Sequence, residues 1–340
     1  MKGQFFVSLI VILVLVLLPT VAFADDTPSI EFVSPLFGMD AARDGSLVIA
    51  DSGQGIVEMR KGVSRLVMEL PGVVDVASLG RGVMFAIADG KLVKVARGRM
   101  NTIADLAAYE NTVNPDGGDL NPNPFDLALD KGGKAVLVTD AGGNSLLRVN
   151  QRGKIDWVAT LPLEDAPTAY AKTMVGCPDA PPDMMFVCGL PEMIPAEPVA
   201  TSVAVGPDGA YYVSELKGFP APQGMSRVWR IEPGAQHAQC GASPKCSVVA
   251  DGFTSIIDLA FGPDGTLYVV EIDEATWAAV EFGLGGVGGT VNACNLAAGT
   301  CTEVAAGLPT PIAVAVLRNG TLYAAINALT PGGAQVVTLP

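Results

Sequence analysis

The apolar positions of this chain fall into paired short runs, each pair broken by a glycine, and the pairing recurs. MDAARDG runs up to Gly45, DVASLGRG to Gly82, DLALDKGG to Gly133, SVAVGPDG to Gly209, DLAFGPDG to Gly265 and AVAVLRNG to Gly320. After the glycines come SLVIAD, VMFAIAD, KAVLVTD, AYYVSE, TLYVVE and TLYAAIN. Val, Ile, Leu, Tyr and Phe on both sides of a Gly, Asp or Asn turn predict strand, turn, strand, and no helical spacing is evident.

The six glycines stand 37 to 76 residues apart, so each interval holds four short strands, the content of a propeller blade. One blade cannot bury both of its faces, so blades must stack around an axis and close a ring. The predicted fold is therefore an all-β, six-bladed β-propeller over residues 25–340. In the last blade PIAVAV, TLYAAIN and AQVVTLP supply only three strands. SIEFV at residues 29–33 has strand composition and is expected as the missing outer strand, leaving no open edge.

Residues 1–24 stand apart from the repeat. Lys2 precedes an apolar run from Phe5 to Leu18, Pro19 breaks it, and Ala22-Phe23-Ala24 ends it before Asp25. A basic start, a short apolar core and small residues at the cleavage point predict a secretory signal peptide, hence a periplasmic or extracellular protein with no membrane insertion after cleavage. Loss of this segment removes one Lys and no acid, which takes the formal charge from −14 to −15. A surface so acidic repels phosphate backbones and excludes nucleic acid as a partner. Cations and neutral ligands fit better.

The six cysteines form three close pairs, Cys177 with Cys188, Cys240 with Cys246 and Cys294 with Cys301. In an exported chain these read as three local disulfides, the last two flanking turns between third and fourth strands. No spacing is CxxC, and His237 is the one histidine, so zinc ligation and histidine-based catalysis find no support.

In a four-stranded meander the start of strand one, the end of strand two and the link to the next blade share one end of the ring. Seven residues before the anchor glycines stand Gly38, Asp75, Asp126, Ser202, Asp258 and Ala313, where the first strands leave the channel. After the glycines, at the end of strand two, stand Asp51, Asp89, Asp140, Glu215, Glu271 and Asn327. Crowded carboxylates raise one another's pKa or recruit a cation, and calcium suits Asp75, Asp126 and Asp258 as ligands. The alternative is that these acids cap turns by accepting backbone N–H bonds. Asp75, Asp126, Ser202, Asp258, Glu215, Glu271 and Trp277 make up the candidate ligand-binding set.

The long insertions, at residues 109–124, at 165–198 and after Glu215 and Glu271, belong to that same end, which marks it as the functional face. YENTVNPDGGDLNPNP offers Asp116, Asp119 and Asn121 as metal ligands or as Asx-turn formers. The Met-rich stretch between Cys177 and Pro198 reads as a lid or a plug. Gly283, Gly285 and Gly288 match GxGxxG, but they precede a strand and lack a βαβ unit, so they read as a loop.

YVSELKGFPAPQG, DAGGNSLLRV, NPDGG and NPFDLAL, with the VAVGPDG and LAFGPDG hairpins, resemble the ScyD/ScyE family of exported NHL-repeat propellers over essentially the whole mature chain. ELKGFP at Glu215 to Pro220 is the most specific of these. The resemblance implies a six-bladed propeller outside the cytoplasm, in some members linked to making the pigment scytonemin. Gly38 and Ala313 depart from the polar channel position. Three function classes remain: a noncatalytic binding or assembly module for a small molecule or protein, which is favoured; a calcium-dependent enzyme such as a lactonase-like hydrolase or a late pigment-forming enzyme; and a structural propeller in an envelope complex.

Overall fold

The computed structural model describes residues 29–340, so the expected signal peptide lies outside the described residues. Six sheets, each an antiparallel meander in chain order, surround a common axis. Their first strands are Leu36–Ala41, Val73–Gly80, Pro124–Leu129, Ala200–Val205, Ile256–Phe261 and Ala313–Val316. Each first strand touches the next, and Ala313–Val316 touches Leu36–Ala41, so the ring is closed.

The recurring glycines have a plain physical cause. All six anchors adopt positive φ, between 66° and 88°, which a Cβ would disfavour. In four of the turns the residue just before the glycine also accepts the N–H of the residue just after it: Asp44 from Ser46, Asp208 from Ala210, Asp264 from Thr266 and Asn319 from Thr321. Second strands are buried on both faces, as in Leu47–Asp51 and Ala135–Asp140, which explains their unbroken apolar runs. Apolar clusters fill every gap between neighbouring blades, and one joins blades five, six and one.

The last blade differs from expectation. It has the three strands Ala313–Val316, Leu322–Ile326 and Gln335–Leu339, and among the described residues no strand pairs with the outer side of Gln335–Leu339. Residues 29–33 are not a strand because their amides are engaged elsewhere. Ile30 N–H donates to Ser64 O of blade one, and Val33 and Ser34 N–H donate to the Asp51 carboxylate. The segment still joins the seam, since Ile30 and Phe32, like Val336 and Leu339, pack against the apolar cluster of blades five, six and one. Ser34 Oγ donates to Thr330 O at 2.8 Å, tying the two ends of the ring together.

Two further departures lie outside the repeat. Short helices do occur, at Leu106–Val113, Ala169–Met174, Met185–Cys188 and Trp277–Glu281, all within inter-blade or second-to-third-strand loops. Blade three gains a fifth strand, Ala238–Gln239, parallel to Ile155–Thr160. That strand makes the Cys240–Cys246 excursion a strap onto the neighbouring blade rather than a simple turn. All three expected disulfides form, and Cys294–Cys301 bridges directly opposed residues of a hairpin. Among the described residues no helix is long and apolar enough to cross a membrane.

Candidate functional site

The channel position repeats a single hydrogen-bonding device. Asp75 accepts the N–H of Leu127 at 2.8 Å, Asp126 that of Val203 at 2.6 Å, Ser202 that of Leu259 at 3.1 Å and Asp258 that of Val314 at 2.7 Å. Each donor is one residue beyond the equivalent position in the next blade, so these side chains stitch blade to blade. Ser202 also donates to Asp258 Oδ1 at 2.9 Å. Gly38 breaks the series for a steric reason. A Cβ there would lie 1.7 Å from Asp75 Oδ1, so the Asp75 carboxyl occupies the space a side chain would need.

Burial pushes Asp75 and Asp258 well above the usual carboxylate range, and the charge of Asp126 adds to it. Asp126 is itself raised by burial, as is nearby Asp40, which accepts Ser78 N–H at 2.7 Å. The structure therefore brings Asp75, Asp126, Ser202 and Asp258 together. Among the described residues, however, no group of three or more His, Cys, Asp or Glu is arranged to hold a metal ion.

A cavity of about 390 Å³ runs from these aspartates to the first-to-second-strand turns, ending at Arg43, Gly132, Gly133 and Arg318. Among the described residues, none on the loop side of the aspartates lines it. One position nearer the loops, Phe37, Phe125, Ile257 and Ile312 belong to an apolar cluster that also takes in Leu216 and Trp277, and Phe37 and Phe125 meet edge to face at 6.0 Å. The acidic channel and the long loops, which share one end of the chain topology, are thus separated by an apolar layer. The cavity faces the short turns.

The outer acids serve different ends. Asp51 accepts from Val33, Ser34, Gly53 and Gln54, and Glu271 from Thr254, Thr290 and Asn292, so both act as caps. Asp89 is exposed at a turn with φ 49°. Asp140 caps through Oδ1, to Asn123 and Gly143, while its buried Oδ2 has no partner.

Glu215 enters a buried ion network that sequence reading missed. Lys217, at 0% exposure, lies 3.0 Å from Glu164 and 3.4 Å from Glu215, Arg227 bridges the same two carboxylates, and Trp229 Nε1 donates to Glu215 at 3.2 Å. Burial pushes Glu215 up to about 7 against the pull of Lys217, and lowers Lys217. The only linear trace of this network is the alternation of charges in ELKGFP. Trp277 is half-buried and its Nε1 donates to Lys217 O at 2.8 Å, so its polar edge is committed to bracing this loop.

The 165–198 insertion folds on itself as the hairpin Glu164–Pro167 with Met193–Ala196, two short helices and the Cys177–Cys188 disulfide. Ala171, Val175, Ala180 and Val187 form its small core, which Leu284 from the blade-five loop joins. Met185 and Phe186 point outward, and Phe186, 64% exposed, approaches the 37% exposed Phe219 at 6.2 Å. Leu163, Met193, Phe282 and Val287 are exposed on the same loops. The Met-rich stretch is therefore core on one side and exposed apolar surface on the other. His237 stacks on Trp157 at 4.4 Å and meets Asp156 at 2.9 Å, well away from the loop face.

Fold and site define a six-bladed β-propeller with a stitched acidic channel and an ornamented loop face. Solved propellers match it at low identity. A protein of unknown function from Bacteroides thetaiotaomicron matches at TM-score 0.57 and 12% identity, over 92% of this chain and 70% of the other. A putative oxidoreductase (glucose dehydrogenase) from Thermus thermophilus matches at TM-score 0.56 and 17% identity, over 92% and 98%. A gluconolactonase from Xanthomonas campestris matches at TM-score 0.56 and 13% identity, over 91% and 87%. Likeness at this level shows the fold alone. No family model matches the chain, and no curated protein matches it.

Proposed function

We propose that the chain is an exported binding module that presents its loop-bearing face to a small molecule or protein with an apolar, aromatic surface. The observation that carries this reading is the exposed pair Phe186 and Phe219 on a braced frame. Beneath Phe219 the loop is fixed by the Lys217, Glu164, Glu215 and Arg227 network, and beneath Phe186 by a disulfide. Apolar side chains held rigidly in water lose little entropy when they are covered. The signal-like segment and the three disulfides support export. The ScyD/ScyE resemblance adds scytonemin-type pigment formation as a setting.

The test is a fluorescence titration of the mature protein with an apolar aromatic dye and with pigment precursors, repeated on Phe186→Ser/Phe219→Ser and on Asp258→Asn. Loss of binding in the first variant and retention in the second is expected. Undiminished binding by the Phe variant would overturn the choice of face. A second reading, hydrolytic chemistry in the channel, rests on carboxyls that burial pushes well above their usual range beside Asp126 in the 390 Å³ cavity. The engagement of those carboxyls with next-blade amides favours stitching instead.

A further inference from the structure

Outside the ion network, the insertion between blades two and three closes around buried oxygen atoms that have no hydrogen-bond partner. Asp105 caps the helix Leu106–Val113 by accepting Ala108 N–H at 2.9 Å, and this turns Leu106 and Glu110, four residues apart, to the protein side. Glu110 is 0% exposed, and neither of its carboxylate oxygens has a hydrogen-bond partner. The buried Asp140 Oδ2 and Asn114 Oδ1 are likewise unpartnered.

The surroundings are built to let these oxygens in. Gly143 lies against Glu110, where a Cβ would come within 2.7 Å of Oε2 and 3.0 Å of Oε1. At Gly142 a Cβ would stand 1.7 Å from the carbonyl oxygen of Asn121. Asp116 is held nearby by Asn144 Nδ2 at 2.8 Å, and the same amide nitrogen reaches Glu197 at 2.6 Å. Among the described residues no Lys or Arg forms an ion pair with Glu110, Asp116, Asp140 or Glu197.

Buried carboxylates without cations are strongly unfavourable, so the charge must be met by a proton or by a metal ion. One proton on Glu110 would satisfy at most one more oxygen and leave the others bare. A single hard cation accepts several oxygens at once. We propose that Glu110, Asp140 and Asn114, with the Asn121 carbonyl alongside, bind a divalent cation of calcium's type that pins this insertion to blade three. Acidic side chains alone do not make a threefold set here. Calcium accepts such a mixture of carboxylate, amide, carbonyl and water oxygens in flexible geometry, whereas magnesium demands a regular octahedron. The site is separate from the channel aspartates and independent of the apolar face.

The experiment uses the full mature chain, stripped with chelator, titrated calorimetrically with calcium chloride and melted with and without calcium. One ion per chain and a rise in melting temperature on adding calcium are expected. Outer-shell substitutions cost about 10- to 100-fold in metal affinity, so Glu110→Gln, which removes a direct ligand, is expected to weaken binding at least about tenfold. Its melting temperature should no longer respond to calcium, yet without metal should not fall below that of the stripped wild type, because a buried charge has gone. Asp140→Asn gives a second reading of the same site, and Asp258→Asn should bind calcium normally. No binding and no chelator effect in the wild type would overturn the proposal, as would wild-type affinity in Glu110→Gln or loss of binding in Asp258→Asn alone.

Discussion

Gly38→Ala tests the inter-blade stitching at its tightest point. The backbone at Gly38 is not in the left-handed region, so alanine there would ordinarily stabilise by about 0.4–1 kcal/mol through the unfolded chain. The structure reverses the sign. The new methyl would sit 1.7 Å from Asp75 Oδ1 and 2.5 Å from Cγ, so the Asp75 side chain must leave its place. It then gives up the N–H of buried Leu127, which costs about 1–3 kcal/mol for an unsatisfied donor. Overpacking against the neighbouring blade adds about 1–3 kcal/mol. A net loss of about 2–5 kcal/mol is expected from urea unfolding, as a lower midpoint at unchanged slope. Asp75→Ala alone should lose the same amide bond, and in Gly38→Ala/Asp75→Ala the new methyl occupies vacated space. The double variant should therefore be more stable than the sum of the singles by about 1–3 kcal/mol. Additive losses, or a Gly38→Ala protein as stable as the parent, would refute the reasoning.

Lys217→Met leaves Glu164 and Glu215 with Arg227 as their remaining cation and should cost about 3 kcal/mol, with faster amide exchange across residues 215–226 by mass spectrometry. Lys217→Met/Glu215→Met, which removes both charges, should be less destabilised than Lys217→Met alone. The pH dependence of stability has a definite sign. Asp40, Asp75, Asp126 and Asp258 are raised from 3.8 by burial, so the unfolded chain ionises first. Their contribution is present below 3.8 and is lost as pH rises through the higher folded values, so urea stability should decline from mildly acidic towards neutral pH. A rise over that interval would contradict the buried assignment. Cys177→Ser/Cys188→Ser opens an 11-residue staple on a separate small core, so it should admit protease within the 165–198 insertion while leaving the main unfolding transition in place.

The sixfold repeat and its direct consequences were legible in the linear chain. A hairpin is a local object: the alternation of apolar residues, the glycine with positive φ and the Asp or Asn before it all lie within one short stretch. The number of blades, the disulfide pairs and the loops that share one end could therefore be read directly. Features that depend on closing the ring were settled by packing instead. Strand composition at residues 29–33 could not foretell that the Asp51 carboxylate, rather than the edge of the last blade, would take the amides of Val33 and Ser34. The repeat aligned the channel aspartates, but whether they bind a cation or the next blade's backbone depends on the gap between blades, which is a tertiary quantity. Packing likewise makes Phe37, Phe125, Ile257 and Ile312 seal the channel from the loops, and turns Lys217 and Glu110 inward. Lys217 and Glu110 belong to insertions outside the period, where no second copy of the pattern exists for comparison and burial is fixed by neighbours distant in sequence.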